Sequence, residues 1–188
     1  RAFSVTVNRK DINNVVFYGL AKPSANTLIE ASPLFDPAYR DAFAQFDPKL
    51  ANRLLDEAGL AKRDWDGVRL LPDGRRAEIT IEGTGEKAEE TDSVELIVDN
   101  FRDIGIRLFY RSAQRELFRR RVLIGETVLS LWHGVDNGLA GPDTEPDAFA
   151  PTNRGQYQWP RFGQFVETAG RTGDPIDMPD VQELASLY

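Results

Sequence analysis

The stretch EETDSVELIVDNFRDIGIRLFYRS, residues 89–112, changes its period partway along. Val94, Ile97, Val98, Phe101 and Ile104 recur at three- and four-residue steps, which predicts an amphipathic helix facing a core, and Gly105 is placed to end it. IRLFYRS then predicts a strand. Upstream, VRLLPDGRRAEITIEG (68–83) predicts a strand pair turning at Asp73-Gly74, a strong short-range hairpin signal. Downstream, AQRELFRRRVLIG (113–125) predicts a helix with Leu117, Phe118 and Val122 inward, and TVLSLW (127–132) a short buried strand. From Val68 the order is therefore strand, strand, helix, strand, helix, strand. That alternation is the mark of an α/β layer, a mixed but mostly parallel sheet with flanking helices, to which the hairpin adds an antiparallel member.

The N-terminal third is helical with long connections. Asn8 is placed to cap a helix through RKDINNVVFYG, with Asp11 in its first turn, Ile12, Val15 and Val16 on one face, and Gly19 at its end. AFSVTV before it fits either a strand or the tail of a helix. AKPSANTLIEASPLF (21–35) is long for a connection and predicts a surface facing a ligand or partner. Asp36-Pro37 and Asp47-Pro48 each put a capping carboxylate before proline at the first helical position. The second opens a helix with Leu50, Leu54, Leu55 and Ala58 as its stripe and Gly59 as its stop.

Composition narrows the function. The 188 residues carry a formal net charge of -7, which argues against a nucleic-acid partner. Five arginines between Arg111 and Arg121 predict a solvated helix face rather than an anion site. With no cysteine there is no thiolate catalysis, disulfide or cysteine-bound metal. No run approaches the ~18 apolar residues of a membrane span. The chain opens without methionine on RAFSVTVNRKDI, and the expectation is a piece of a longer protein.

Several segments together resemble one family, the substrate-binding proteins of bacterial ABC importers, in the group (family 5) that takes oligopeptides, dipeptides and nickel. Arg1, Ala2, Asn8, Arg9, Ile12, Gly19, Ala21 and Pro23 match its opening helix pair and Gly-x-A-x-P loop. FDPKLANRLLDEAGL (46–60) is similar to its Y-D-P-x-x-A-x-x-L-L-x-E-A-G segment, and LIVDNFRDIGIRL (96–108) to its helix-to-strand step, with Phe101 replacing the usual large aromatic. The resemblance implies an α/β lobe of the periplasmic-binding-protein-like (class II) kind, with a mixed, mostly parallel sheet and flanking helices. Residues 1–175 would form the second lobe of a two-lobed protein, and 176–188 would lead back toward the missing first lobe. It also implies a periplasmic or cell-surface receptor, no cofactor, and ABC permease subunits in the membrane as partners. The solute would be a peptide or similar small amine-bearing molecule held between lobes. The alternatives are a ligand-sensing module of the same fold and, with little support, a carboxylate-pair hydrolase.

The candidate site lies in LWHGVDNGLAGPDTEPDAF (131–149), just past the last strand, where α/β sheets bind ligands. The resemblance implies that Asp136, with Asn137, meets a ligand ammonium group, although the inserted Leu139-Ala140-Gly141 departs from the family loop. A partly desolvated carboxylate gains a partner there. Trp132 offers an apolar wall, Gly134 allows close approach of the backbone, and His133 is a weaker candidate. Tyr157 and Trp159, two apart, would share one face of an extended segment. Asp143, Glu145 and Asp147 alternate as in a calcium loop, but Pro146 interrupts them, so no metal is expected. They are read as turn and cap residues. No nucleotide-binding or nucleophile-elbow motif is present, and no enzyme is expected.

Overall fold

A helix that follows each strand returns the chain to the same end of the sheet, so the next strand must run parallel. The computed structural model, which describes residues 1–132, 134 and 149–187, is built on that rule. Strand β1 (Glu78–Gly83) is central and pairs in parallel with β2 (Arg107–Ser112) on one side and β3 (Leu129–Ser130) on the other. The antiparallel contribution is confined to isolated bridges, Arg63 with Arg69 and Leu70 with Arg76. The Asp73-Gly74 turn does form, with Gly74 N–H donating to Leu71 O and Leu71 N–H to Arg75 O. Its two arms stay paired through the Leu70–Arg76 bridge, with Ala77 N–H donating to Arg69 O, while Arg69 N–H donates to Gly105 O.

Helix α1 is Ala2–Thr6, which resolves AFSVTV as helix, and α2 is Arg9–Val16. Asn8 caps α2 by accepting from Asp11 N–H. Val16 is buried but Val15 is exposed, so the inward stripe is narrower than the sequence pattern predicts. Helices α3 (Pro37–Asp41) and α4 (Pro48–Leu55) start as expected, Asp36 accepting from Ala38 N–H and Asp47 from Leu50 N–H. The face of α4 centres on Ala51 and Leu55, while Ala58 is exposed in the π-type turn Asp56–Leu60 that closes at Gly59 (φ +88°). Helix α5 (Ala88–Asp103) joins β1 to β2, and α6 (Arg115–Leu123) joins β2 to β3. Helices α7 (Pro160–Glu167) and α8 (Pro179–Ser186) follow.

Alternation along β1 sends its side chains to opposite faces. Ile79 and Ile81 meet Val5, Ala51, Leu55, Val94, Phe101 and Ile104 in the main core. Glu82 points to the other face, where Arg121 of α6 meets it. There Phe118 and Val122 are buried, whereas Leu117 faces solvent, opposite to its sequence assignment. Strand β3 is shorter and less buried than TVLSLW predicts, with Val128 at 80% exposure. One buried group has no counterpart in the sequence reading. Arg69, 1% exposed, donates from Nε to Ile104 O (2.7 Å), from Nη1 to Leu60 O (2.5 Å) and Asp56 Oδ1 (2.6 Å), and from Nη2 to Asn52 Oδ1 (2.7 Å) and Asn52 O (3.3 Å). It fastens α4 and its closing turn to the end of α5.

Candidate functional site

Strand β3 ends by handing the chain to Leu131 and Trp132. Leu131 N–H donates to Glu82 O at 2.7 Å, which fixes the strand end against β1. Among the described residues, Phe118, Tyr157 and Arg115 meet the Trp132 ring. Phe118 stacks on it at 5.6 Å between centroids and 30° between planes, and Tyr157 leans against it at 5.1 Å and 47°. Phe118 and Tyr157 themselves meet edge-on at 6.1 Å. The Arg115 guanidinium lies 5.7 Å from the Trp132 centroid, a cation–π distance. Arg115 and Phe118 share a side of α6 because they are one turn apart. Glu86 ties Arg115 in place through a two-pronged pair whose Nε–Oε1 arm is 3.1 Å. That pairing holds the Glu86 carboxyl below its usual range, and burial pushes the Tyr157 phenol up.

An open groove of about 1670 Å³ runs past this cluster. Residues of the 24–29 connection, Thr127–Ser130 with Trp132, and the segment 155–162 line it. Trp132, Gly134, Tyr157 and Trp159 all border it, so four of the sequence candidates share one surface. Asp136, Asn137 and His133 lie outside the described residues, as do Asp143, Glu145 and Asp147. Tyr157 and Trp159 reach the groove by a different route from the extended segment expected. Gln156 Oε1 accepts from the Gln158 and Trp159 amides, curling the chain into the start of α7. A Cβ at Gly134 would press on Asn26 Oδ1, the end of a side chain that can turn aside. Gly163 in α7 is more constrained, because a Cβ there would strike the Asn153 backbone carbonyl.

Sequence reading missed Asn26, Arg115 and Glu82. Asn26 sits in the long connection that was read as a ligand- or partner-facing surface. Arg115 and Glu82 had no local signal, because each is defined by a partner on a distant element. The five-arginine stretch is only partly a solvated face. Arg111 and Arg121 both donate to Glu82 Oε1, at 2.7 and 3.1 Å. Among the described residues no His/Asp/Glu cluster is arranged to hold a metal ion, and no helix is long and apolar enough to cross a membrane.

Comparison with known proteins gives this geometry a context. The chain is 29% identical to the oligopeptide-binding protein OppA, whose structure it matches with a TM-score of 0.79 over all of its own length and 31% of that chain. The stachyose complex of the periplasmic binding protein MelB from Agrobacterium fabrum C58 matches with a TM-score of 0.75 at 20% identity, over 99% of this chain and 27% of that one, a likeness of fold. A probable ABC transporter-binding protein from Deinococcus radiodurans is 24% identical over 108 residues, 57% of this chain and 18% of that protein. The chain thus spans under a third of the length of these relatives. Each of these relatives is described as a binding protein. Residues 1–157 match the family described as bacterial extracellular solute-binding proteins, family 5, middle region, and the chain belongs to that family.

Proposed function

We propose that residues 1–175 are the second lobe of a two-lobed receptor for an ABC importer, and that 176–188 lead toward the first lobe. In this reading the groove beside Trp132 is one half of an interlobe cleft. The receptor captures a peptide or similar amine-bearing solute there, closes over it by a hinge motion, and presents the closed form to permease subunits at the membrane. A periplasmic or cell-surface location follows from the same reading. The observation that carries it is the groove itself. It runs along β3 and past its carboxyl end to Trp132, near where open α/β sheets take ligands, and aromatic side chains border it on a family 5 lobe.

Each bordering group has a defined part. Trp132 and Trp159 supply flat apolar walls, with Trp132 held by Phe118, Tyr157 and Arg115 so that little ordering remains to be done on binding. Asp136, next to this wall in sequence, supplies the carboxylate for an ammonium group, and Asn137 its neighbouring polar contact. Peptide or other amine is the finer part of the proposal, because the MelB structure of the same fold holds a sugar.

The test uses the full-length protein. Mass spectrometry of what co-purifies identifies the solute, and calorimetry then compares wild type with Asp136→Ala. An amine-bearing solute whose affinity falls more than tenfold, about 1.4 kcal/mol, is the expected result. A solute without an amine, or unchanged affinity, overturns the assignment of Asp136.

A further inference from the structure

Glu82 is 2% exposed, on the central strand, with a carboxylate that is only half used. Oε1 accepts from Arg111 of β2 and Arg121 of α6, while Oε2 has no hydrogen-bond partner among the described residues. A buried carboxylate of this kind is costly, and an apolar residue would avoid the cost. The group therefore calls for a role other than stability.

Its two connections lead to the same side chain. Through its main chain, Glu82 O accepts from Leu131 N–H and sets the strand end that carries Trp132. Through its carboxylate, it holds Arg121, one turn beyond Phe118 on α6. Phe118 and Arg115 are the α6 groups that pack on the Trp132 ring. We propose that Glu82 is a positioning residue for Trp132. Its carboxylate fixes the helix beside the ring, while the main-chain bond to Leu131, which any residue at 82 would make, fixes the backbone beneath it, so the groove wall keeps one orientation before any solute arrives. The functional meaning of that wall rests on the solute-binding reading above; the positioning itself does not.

The experiment separates the two. The full-length protein is labelled with 5-fluorotryptophan and observed by fluorine NMR. The Trp132 line is assigned by its loss in Trp132→Phe, and the line of Trp65, 91% exposed and in a separate turn, by its loss in Trp65→Phe. In Glu82→Leu the Trp132 line is expected to shift by more than its width or to split, while the Trp65 line stays. Glu82→Gln, which keeps one acceptor oxygen, is expected to fall between. Arg121→Gln removes only the α6 arm and serves if Glu82→Leu fails to fold; it too is expected to move the Trp132 line alone. An unmoved Trp132 line in Arg121→Gln overturns the proposal, whatever the groove binds, and lines that all move together overturn it as well. Since no solute is present, failure here is distinct from failure of the Asp136 test.

Discussion

Arg69→Met swaps the buried guanidinium for an apolar chain of similar length. An arginine has five N–H donors, and Arg69 directs them at Ile104 O, Leu60 O, Asp56 Oδ1, and Asn52 Oδ1 and O. The cost of losing it depends on which acceptors find replacements. Asp56 is 53% exposed and rehydrates. Arg63 Nη2 already donates to Asn52 Oδ1 at 2.6 Å and Ile104 O at 3.2 Å, so those acceptors keep a partner. Leu60 O is left with none of its present donors. One unpaired acceptor costs about 1–3 kcal/mol, and weakened bonds at Ile104 and Asn52 add about 1 kcal/mol more on the same scale. Relief of the buried charge offsets part of this, which places the variant below the ~3–5 kcal/mol of a buried pair broken outright. The expected loss is about 2–4 kcal/mol in urea unfolding of the full-length protein followed by circular dichroism. Asp56→Asn alone is expected to cost under about 1 kcal/mol, because its carboxylate is half exposed. A loss below about 1 kcal/mol for Arg69→Met would refute the accounting, as would an Asp56→Asn variant that is equally damaged.

Two further expectations follow from the groove. Gly163→Ala should destabilise by about 1–3 kcal/mol through overpacking against the Asn153 carbonyl, although alanine is favoured over glycine within a helix by about 1 kcal/mol; a stabilised variant in thermal unfolding would show that the contact is not real. The Glu86 carboxyl, held down chiefly by its hydrogen bond to Arg115, should titrate below the ordinary glutamate value of about 4.3. Because the folded-state value is the lower one, the tie to Arg115 is intact above the unfolded-state value and is lost as pH falls through the folded one. Carbon NMR of the side-chain carboxyl checks this, and Arg115→Gln should return the midpoint to the ordinary range.

What the sequence made legible is what local chemistry controls. The period of residues 94–104, the Asp-Pro caps and the Asp73-Gly74 turn each depend on neighbours within a few positions, and each appears in the structure. Errors arose where distant elements compete. The first hairpin arm pairs with the second only as an isolated bridge, while Arg69 N–H is taken by Gly105 O, thirty-six positions away. Leu117 and Phe118 are equally apolar, and only the position of the sheet under α6 decides which is buried. Arg69 and Glu82 draw no reading of their own, because their partners lie 9 to 39 residues away. In sequence, Trp132 with Gly134, and Tyr157 with Trp159, form two separate candidate surfaces; they border one groove, and the extended segment expected for the second pair does not form, since Gln156 curls it.

The ordering of the strands has a bearing on how the chain avoids its own kind. Among the described residues β2 and β3 are the sheet's two edges, and an edge offers unpaired amides and carbonyls to any passing strand. One edge is only two residues long, too short to template much. The other carries Arg107 and Arg111, whose charges would be forced into register with themselves if a second copy paired alongside. The apolar strand with the richest pairing potential, EITIEG, is kept in the middle. Among the described residues, protection against aggregation is thus written into the order in which the strands are laid down.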